Sequence, residues 1–327
     1  MRALVTGATG KVGNAVARAL AARGDQVVAL VRDPARATAS LPAGVEAVRG
    51  NVTEPASVRA AAEGCELVFN AMGLPEQWLA DEGEFERVNA IGSETVVREA
   101  ARAGVRRIVH TSTIDVFHAA DGTRFDESQV ADYPKGTVYE RSKQHAERLV
   151  LAAAEREGIE VVLANPAAVY GPGPEGSASV ERDLLRPVVE GRRVATPALP
   201  PGGFGLLFSE GAGAGHLLVA ERGEPGERYI LCDGHVTLAE LARMAVQVAG
   251  RGRVPPTLPA PVAKAMAAVG EPVARLTGKP PLIPKGQLLF FLWNAAPDSS
   301  KAQRELGWQP TPIEDGVRRT LSSMGLI

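Results

Sequence analysis

The stretch that decides the fold is Arg2-Ala3-Leu4-Val5-Thr6-Gly7-Ala8-Thr9-Gly10-Lys11-Val12-Gly13. Residues 2–6 form a short apolar run, and Val12, Val16 and Leu20 beyond the glycines have helical spacing. Glycines at 7, 10 and 13, between a strand and a helix, suit a dinucleotide cradle. Gly7 allows the tight turn, Gly10 lets backbone N–H groups approach a pyrophosphate, and Gly13 permits close helix–strand contact. The phosphates then lie at a helix N-terminus, where unpaired N–H groups and the helix dipole favour negative charge. A purely structural glycine turn is the alternative.

The alternation continues outward from there. Gly24 stops the first helix and residues 26–31 make the next apolar run. Strands are predicted near 45–48, at 67–70, 107–111 and 161–164, with helices from about Pro55, over 84–103 and around 139–157. Helices between continuous apolar strands specify an α/β protein, a doubly wound parallel sheet of Rossmann type covered on both faces, with right-handed crossovers. After Pro166 the rhythm breaks into Gly- and Pro-rich segments at 171–176, 197–205, 255–261 and 280–284, separating shorter helices. Such segments are long for plain connections and suit a smaller C-terminal substrate-binding lobe. The expected division is a nucleotide-binding domain over 1–165 and a lobe over 166–327, partly interleaved with the sheet. Residues 288–293 form an apolar stripe, read as a helix packed on the core.

Composition narrows the function classes. The 327 residues are 45% apolar and 23% charged, ordinary globular values, and the formal net charge is −2. That balance gives no electrostatic reason to expect nucleic acid or an anionic membrane. Cys65 and Cys232 are too few for a disulfide framework and read as small buried hydrophobes. The chain opens directly on a strand, with no leader pattern, and no uncharged apolar run approaches the roughly 20 residues of a membrane span. A cytoplasmic protein is expected. No cluster with metal-ligand spacing and no nucleophile elbow appears, so no metal is expected.

Arg32 ends the second strand, where the adenosine ribose should arrive. A carboxylate there would bond a free 2′-hydroxyl, whereas an arginine suits a 2′-phosphate. NADP(H) is therefore the preferred cofactor, and Asp33 one residue later keeps NAD(H) possible. Tyr139 and Lys143 are four apart in a helical pattern and share one face. A phenol titrates near about pH 10 and a neighbouring ammonium lowers that value, making it a usable acid or base. Lys143 can also donate to the nicotinamide ribose. His110-Thr111-Ser112-Thr113 ends a parallel strand, where a hydroxyl can bond a substrate carbonyl oxygen. Capping of backbone by those hydroxyls is the competing reading. His110 and His145 read as incidental.

In combination these residues resemble the extended short-chain dehydrogenase/reductase family, over nearly the whole chain. Its branches include nucleotide-sugar epimerases and dehydratases, dihydroflavonol-reductase-like enzymes and 3β-hydroxysteroid dehydrogenases. Thr6-Gly7-Ala8-Thr9-Gly10 to Gly13 is similar to the family's cofactor loop, and Phe69-Asn70-Ala71-Met72 to its segment beside the adenosine ribose. Val88-Asn89-Ala90-Ile91-Gly92 resembles the helix whose Asn supports the active site. Thr111-Ser112-Thr113 and Tyr139-Glu140-Arg141-Ser142-Lys143 resemble the catalytic elements. Asn165-Pro166 through Val169-Tyr170-Gly171-Pro172-Gly173 resembles the entry to the substrate lobe, and residues 301–308 the C-terminal helix.

The resemblance implies cofactor contacts from Gly7, Thr9, Gly10, Lys11, Val12, Gly13, Arg32, Asn51, Val52, Asn70, Ala71, Met72, Tyr139, Lys143, Pro166 and Val169. It implies Tyr139 as general acid/base, Lys143 as its partner on the ribose, and Asn89 as support. Thr113 is the hydroxyl when Val116-Phe117 is aligned on the family's Val-Tyr-Gly; Ser112 is the fallback. Many relatives dimerise through the helices at 84–103 and 139–157, so a homodimer is possible here.

The departures matter as much. Ile114 and Asp115 stand where dehydratases carry Asp and Glu, so dehydration loses its acid. Asn165 stands where sugar-nucleotide epimerases carry an Arg, and 202–208 is apolar and glycine-rich without basic groups for a diphosphate. Asn51 replaces an Asp that meets the adenine, and His118 replaces a Gly. The expected function is NAD(P)-dependent oxidation or reduction of the carbonyl or secondary alcohol of a small, mainly apolar substrate. The alternatives are a sugar epimerase with retained NAD, and a dinucleotide sensor without turnover.

Overall fold

The computed structural model describes residues 1–75, 79–174, 177, 180–192, 198–262, 265, 292 and 294–327. The chain runs β1 (Arg2–Thr6), α1 (Lys11–Ala22), β2 (Gln26–Val31), α2 (Pro34–Ala37), β3 (Glu46–Arg49), α3 (Pro55–Ala62) and β4 (Leu67–Asn70). Then come α4 (Gly83–Phe85), a wide π-type turn over Glu86–Ile91, α5 (Gly92–Arg102), β5 (Arg107–Thr111) and β6 (Arg124–Phe125). The second half holds α6 (Val138–Glu157), β7 (Glu160–Pro166), β8 (Ala168–Tyr170), α7 (Arg186–Val189), β9 (Gly203–Phe208) and α8 (Ser209–Arg222). It closes with β10 (Arg228–Leu231), β11 (Gly234–Thr237), α9 (Leu238–Ala249), β12 (Ala296–Pro297) and a C-terminal helix, Ile313–Ser323.

Seven strands pair in the order β10-β7-β5-β4-β1-β2-β3, and every pairing is parallel. The strands read as continuous apolar runs because both faces are covered. Alternation along β1 sends Ala3 and Val5 to one apolar layer, with Val16 and Leu20 of α1 and Ala212 and Val219 of α8. Leu4 points the other way, among Val58 of α3, Val96 of α5 and Val150 of α6. The strand order reverses between β1 and β4, with Thr6 opposite Asn70 at the carboxyl edge. Open α/β sheets bind ligands at such a switch point.

The predicted helix at 84–103 is present but interrupted by its π-type turn, which carries Asn89. The largest difference from the sequence expectation comes after Pro166, where strands as well as helices form. β8, β9 and β11 make a second sheet whose middle strand, β9, is buried along its whole length. Its Phe204, Leu206 and Phe208 pack with α9 and the C-terminal helix in a third apolar cluster. The glycine-rich run at 202–208 is thus largely core. β10 returns to the main sheet beside β7, and α8 packs on its α1 face.

Cys65 and Cys232 are buried free thiols, as expected, with burial pushing Cys232 up to about 12. Among the described residues no helix is long and apolar enough to cross a membrane, and no group of three or more metal-ligating side chains occurs. The 280–284 segment and, apart from Leu292, the 288–293 stripe lie outside the described residues.

Candidate active site

The loop between β1 and α1 is built by backbone geometry. Gly7 has φ +70°, and a Cβ there would lie 2.5 Å from the Ala71 carbonyl oxygen, inside the chain leaving β4. Gly10 N donates to Gly7 O at 2.8 Å, closing the turn. A Cβ on Gly13 would strike the Gly7 carbonyl, 2.5 Å from its carbon, so only glycine lets α1 start this close to the strand. Gly10 caps α1 without a side-chain hydrogen bond, and no acidic residue occupies the first turn. The open N–H groups of Lys11, Val12 and Gly13 therefore fit an anion such as a dinucleotide pyrophosphate. Buried Asn14 holds the loop from behind, donating to Ala8 O at 3.2 Å and Ser40 O at 2.7 Å. Thr9 is exposed above it.

Two further features flank the cradle. Lys11 Nζ donates to Gly171 O at 2.7 Å and pairs with Glu181 at 3.0 Å, so the ammonium clasps the lobe entry to the phosphate loop. Gly171 N also donates to Glu181 Oε1. At the end of β2, Arg32 is exposed and makes no ion pair or side-chain hydrogen bond among the described residues. Asp33 is committed elsewhere: its Oδ1 accepts from Arg36 N at 3.3 Å and caps α2. Asn51 Oδ1 accepts from Thr53 N at 3.2 Å, and Val52 beside it is buried.

A buried chain of side chains crosses the switch point. Thr6 Oγ1 donates to Asn70 Oδ1 at 2.7 Å, Asn70 Nδ2 donates to His110 Nδ1 at 3.1 Å, and Met72 N donates to Thr6 Oγ1 at 3.3 Å. His110 is therefore neutral with its proton on Nε2, and burial and then the Lys143 charge hold its pKa well below the usual range. His110 is thus a core residue that shapes the exit of β4, beside Ala71 and Met72.

The catalytic candidates gather on α6 and the end of β5. Thr137 starts α6 with a capping box: its Oγ1 accepts from Glu140 N at 3.0 Å, and Glu140 Oε2 accepts from Thr137 N at 2.8 Å. That box orients the first turn, which carries Tyr139, half-buried and edge-on to Phe85 at 6.4 Å between ring centroids. One turn on, Lys143 is 4% exposed and its Nζ donates to Thr111 O at 2.8 Å. Burial lowers its pKa to about 8, opposed by the carboxylates of Glu147 and Asp115. Asn89 joins the loop after β4 to α6: Leu74 N donates to Asn89 Oδ1 at 2.7 Å, and Asn89 Nδ2 donates to Ser142 Oγ at 3.0 Å. A Cβ on Gly73 would lie 3.6 Å from Asn89 Oδ1 and 4.0 Å from Lys143 Nζ, so these groups converge.

Thr113, two residues past β5, caps the short turn Ile114–Val116 with its hydroxyl engaged locally, donating to Asp115 Oδ2 at 3.1 Å and accepting from Asp115 N at 3.2 Å. Burial and then Glu140 push Asp115 up to about 6. The Ser112 hydroxyl is buried without a partner among the described residues. Sequence reasoning did not find what stands behind these groups. Asn165 Nδ2 donates both to Thr113 O at 3.1 Å and to Glu147 Oε1 at 2.9 Å, while Arg228 of β10 donates to Glu147 Oε2 at 2.8 Å. Glu147 lies one turn after Lys143, a spacing that puts it on the same face and could have flagged it. Pro166 and Val169 lie at the lobe entry, the first buried and the second packed against the core.

Residues 3–229 match the model of the NAD dependent epimerase/dehydratase family. The chain is 32% identical over 314 residues to the sterol demethylase protein B of Methylococcus capsulatus, covering 95% of this chain and 94% of that one. It is 31% identical over 318 residues to a 4-hydroxy-2-methyl-3-oxo-4-farnesyl-3,4-dihydroquinoline-1-oxide ketoreductase of Stigmatella aurantiaca, covering 94% and 92%. The fold matches the UDP-glucose 4-epimerase of Thermotoga maritima with a TM-score of 0.79 at 18% identity, over 99% of each chain. The chain belongs to the NAD-dependent epimerase/dehydratase family, in the extended short-chain dehydrogenase/reductase branch, whose members are NAD(P)-dependent enzymes.

Proposed function

We propose that this protein is an NADP(H)-dependent ketoreductase or alcohol dehydrogenase for small, mainly apolar substrates. One observation carries the reading: a buried Lys143 ammonium, pinned to Thr111 O, converges with Asn89 and Gly73 one helical turn from Tyr139. The cradle of Gly7, Gly10 and Gly13 with the first turn of α1 would hold the dinucleotide, and the nicotinamide supplies the hydride-transfer chemistry when bound. In the reductive direction Tyr139 gives its phenolic proton to the carbonyl oxygen, and Lys143 makes that phenol more acidic. Thr113 bonds the same oxygen and stabilises the negative charge that builds there. Asn89 keeps α6 in register with the loop after β4.

Two observations favour the finer parts of this reading. Asp33 is spent as a helix cap while Arg32 is exposed at the end of β2, the arrangement a 2′-phosphate calls for. Asn165 and Arg228 are both committed to Glu147, so neither is offered to a sugar diphosphate. The ketoreductase name of one relative agrees with a carbonyl substrate.

The test begins with purified protein, denatured to identify any released nucleotide and then titrated with NADPH and NADH. Empty protein that prefers NADPH, and oxidises it with acetophenone, ethyl benzoylacetate or cholestanone, is the expected result. Stoichiometric, retained NAD and no ketone turnover would overturn it in favour of an epimerase.

A further inference from the structure

A hydroxyl has one proton to give and two lone pairs to offer. At Thr113 one lone pair is taken by Asp115 N, and Asp115 Oδ2 lies 3.1 Å from the same oxygen. Both residues are almost wholly buried, Thr113 7% and Asp115 8% exposed, so water does not replace either bond. An ionised Asp115 can only accept, and it then holds the single Thr113 proton. A protonated Asp115 donates instead, fills the second lone pair, and leaves the Thr113 proton free to point outward.

We propose that Asp115 is a positioning residue that sets the direction of the Thr113 hydroxyl, so that Thr113 donates to a substrate oxygen only while Asp115 is protonated. This rests on the reading of Thr113 as the hydroxyl that meets the carbonyl. The charged groups facing Asp115 are Glu140 and Lys143 from α6 and Lys135 from the loop leading into it. Glu140 favours the protonated form and the two lysines oppose it; burial outweighs them all and raises the carboxyl to about 6. The donor form of Thr113 is thus populated below that value and falls away above it.

The test follows kcat for NADPH oxidation with ethyl benzoylacetate from pH 5 to 7.5, below the Lys143 titration near 8, beside difference infrared spectroscopy of the Asp115 carboxyl, wild type against Asp115→Asn. For the wild type, kcat falls about tenfold per pH unit above a midpoint shared with the loss of the protonated-carboxyl band. Asp115→Asn carries a permanent donor at this position, so it keeps wild-type turnover at low pH within about threefold and loses the fall. A fall that persists in Asp115→Asn, or a folded Asp115→Asn that is slow at every pH, overturns the proposal. If Asp115→Asn does not fold, Asp115→Glu serves as the infrared reference and agreement of the two wild-type midpoints decides; midpoints that differ overturn it. If no ketone turns over, the ketoreductase reading fails by itself. The bond is then judged from Thr113→Val, which raises the carboxyl midpoint if the hydroxyl donates to Asp115 and leaves it unchanged if the proposal is wrong.

Discussion

At the mouth of β1 the site is made of backbone, and at the mouth of β5 it is made of side chains. The cradle depends on what is missing: no Cβ at Gly7 or Gly13, no side-chain cap on α1, no acid in its first turn. The candidate catalytic end depends on what is added: Thr113, Asp115, Asn165, Glu147, Lys143, Asn89 and Ser142 are joined by hydrogen bonds or facing charges between the mouth of β5, β7, α6 and the turn before α5. A backbone site tolerates almost any side chain that faces out of it and almost none that faces in. A side-chain site can be retuned one group at a time, because each member adjusts the charge or direction of its neighbour.

Four measurements would break or sharpen that contrast. Tyr139→Phe removes one proton donor and leaves the helix intact, so kcat is expected to fall about a thousandfold with NADPH affinity little changed. A loss of affinity equal to the loss of turnover would mean that the two regions are not separable. Gly13→Ala should act in the opposite sense, on binding and stability together. The added methyl meets the Gly7 carbonyl, and overpacking of that kind costs about 3 kcal/mol, readable as a lower Tm and a raised NADPH Kd. Arg32→Ser is milder: NADPH binding should weaken about tenfold while NADH binding holds, since only a charge-assisted contact to one phosphate is lost.

The last measurement is of stability against pH. Asp115 has a folded pKa of about 6, above its ordinary 3.8, so its contribution is full below 3.8 and is lost as pH rises through 6. Lys143 runs the other way: its folded value of about 8 lies below 10.5, so stability rises as pH climbs from 8 past 10.5. Urea denaturation of the wild type against Asp115→Asn and Lys143→Met should show each slope vanish in its own variant. Cradle variants such as Arg32→Ser should leave both slopes in place.

The contrast also explains what could be read from the chain alone. From β1 to β7 each element is a local pattern, and the order of apolar runs and helical spacings carries the doubly wound sheet. Tyr139 and Lys143 are legible for the same reason, because i and i+4 face the same way whatever surrounds them. The run at 202–208 has no such period: in sequence it is only an apolar, glycine-rich stretch without basic groups, and it folds as the buried central strand of the second sheet. The long-range partners of the candidate site are invisible on other grounds. Arg228 meets Glu147 across 81 residues of chain and Lys11 meets Glu181 across 170, separations that no spacing rule spans. In sequence Asp115 stands only as an Asp at the dehydratases' Glu position, since the direction of a hydrogen bond is not written in a motif.

The position of β10 has a consequence for how the molecule comes into being. Parallel strands need long crossovers, and the one from β7 to β10 runs through β8, α7, β9 and α8 before Arg228 reaches Leu163. During synthesis β7 therefore emerges as an open sheet edge, and it stays open until Leu231 has left the ribosome. Glu147 likewise gains its Arg228 partner only then. Slow, non-local closure of this kind favours a late committed step in folding and leaves an aggregation-prone edge in the meantime.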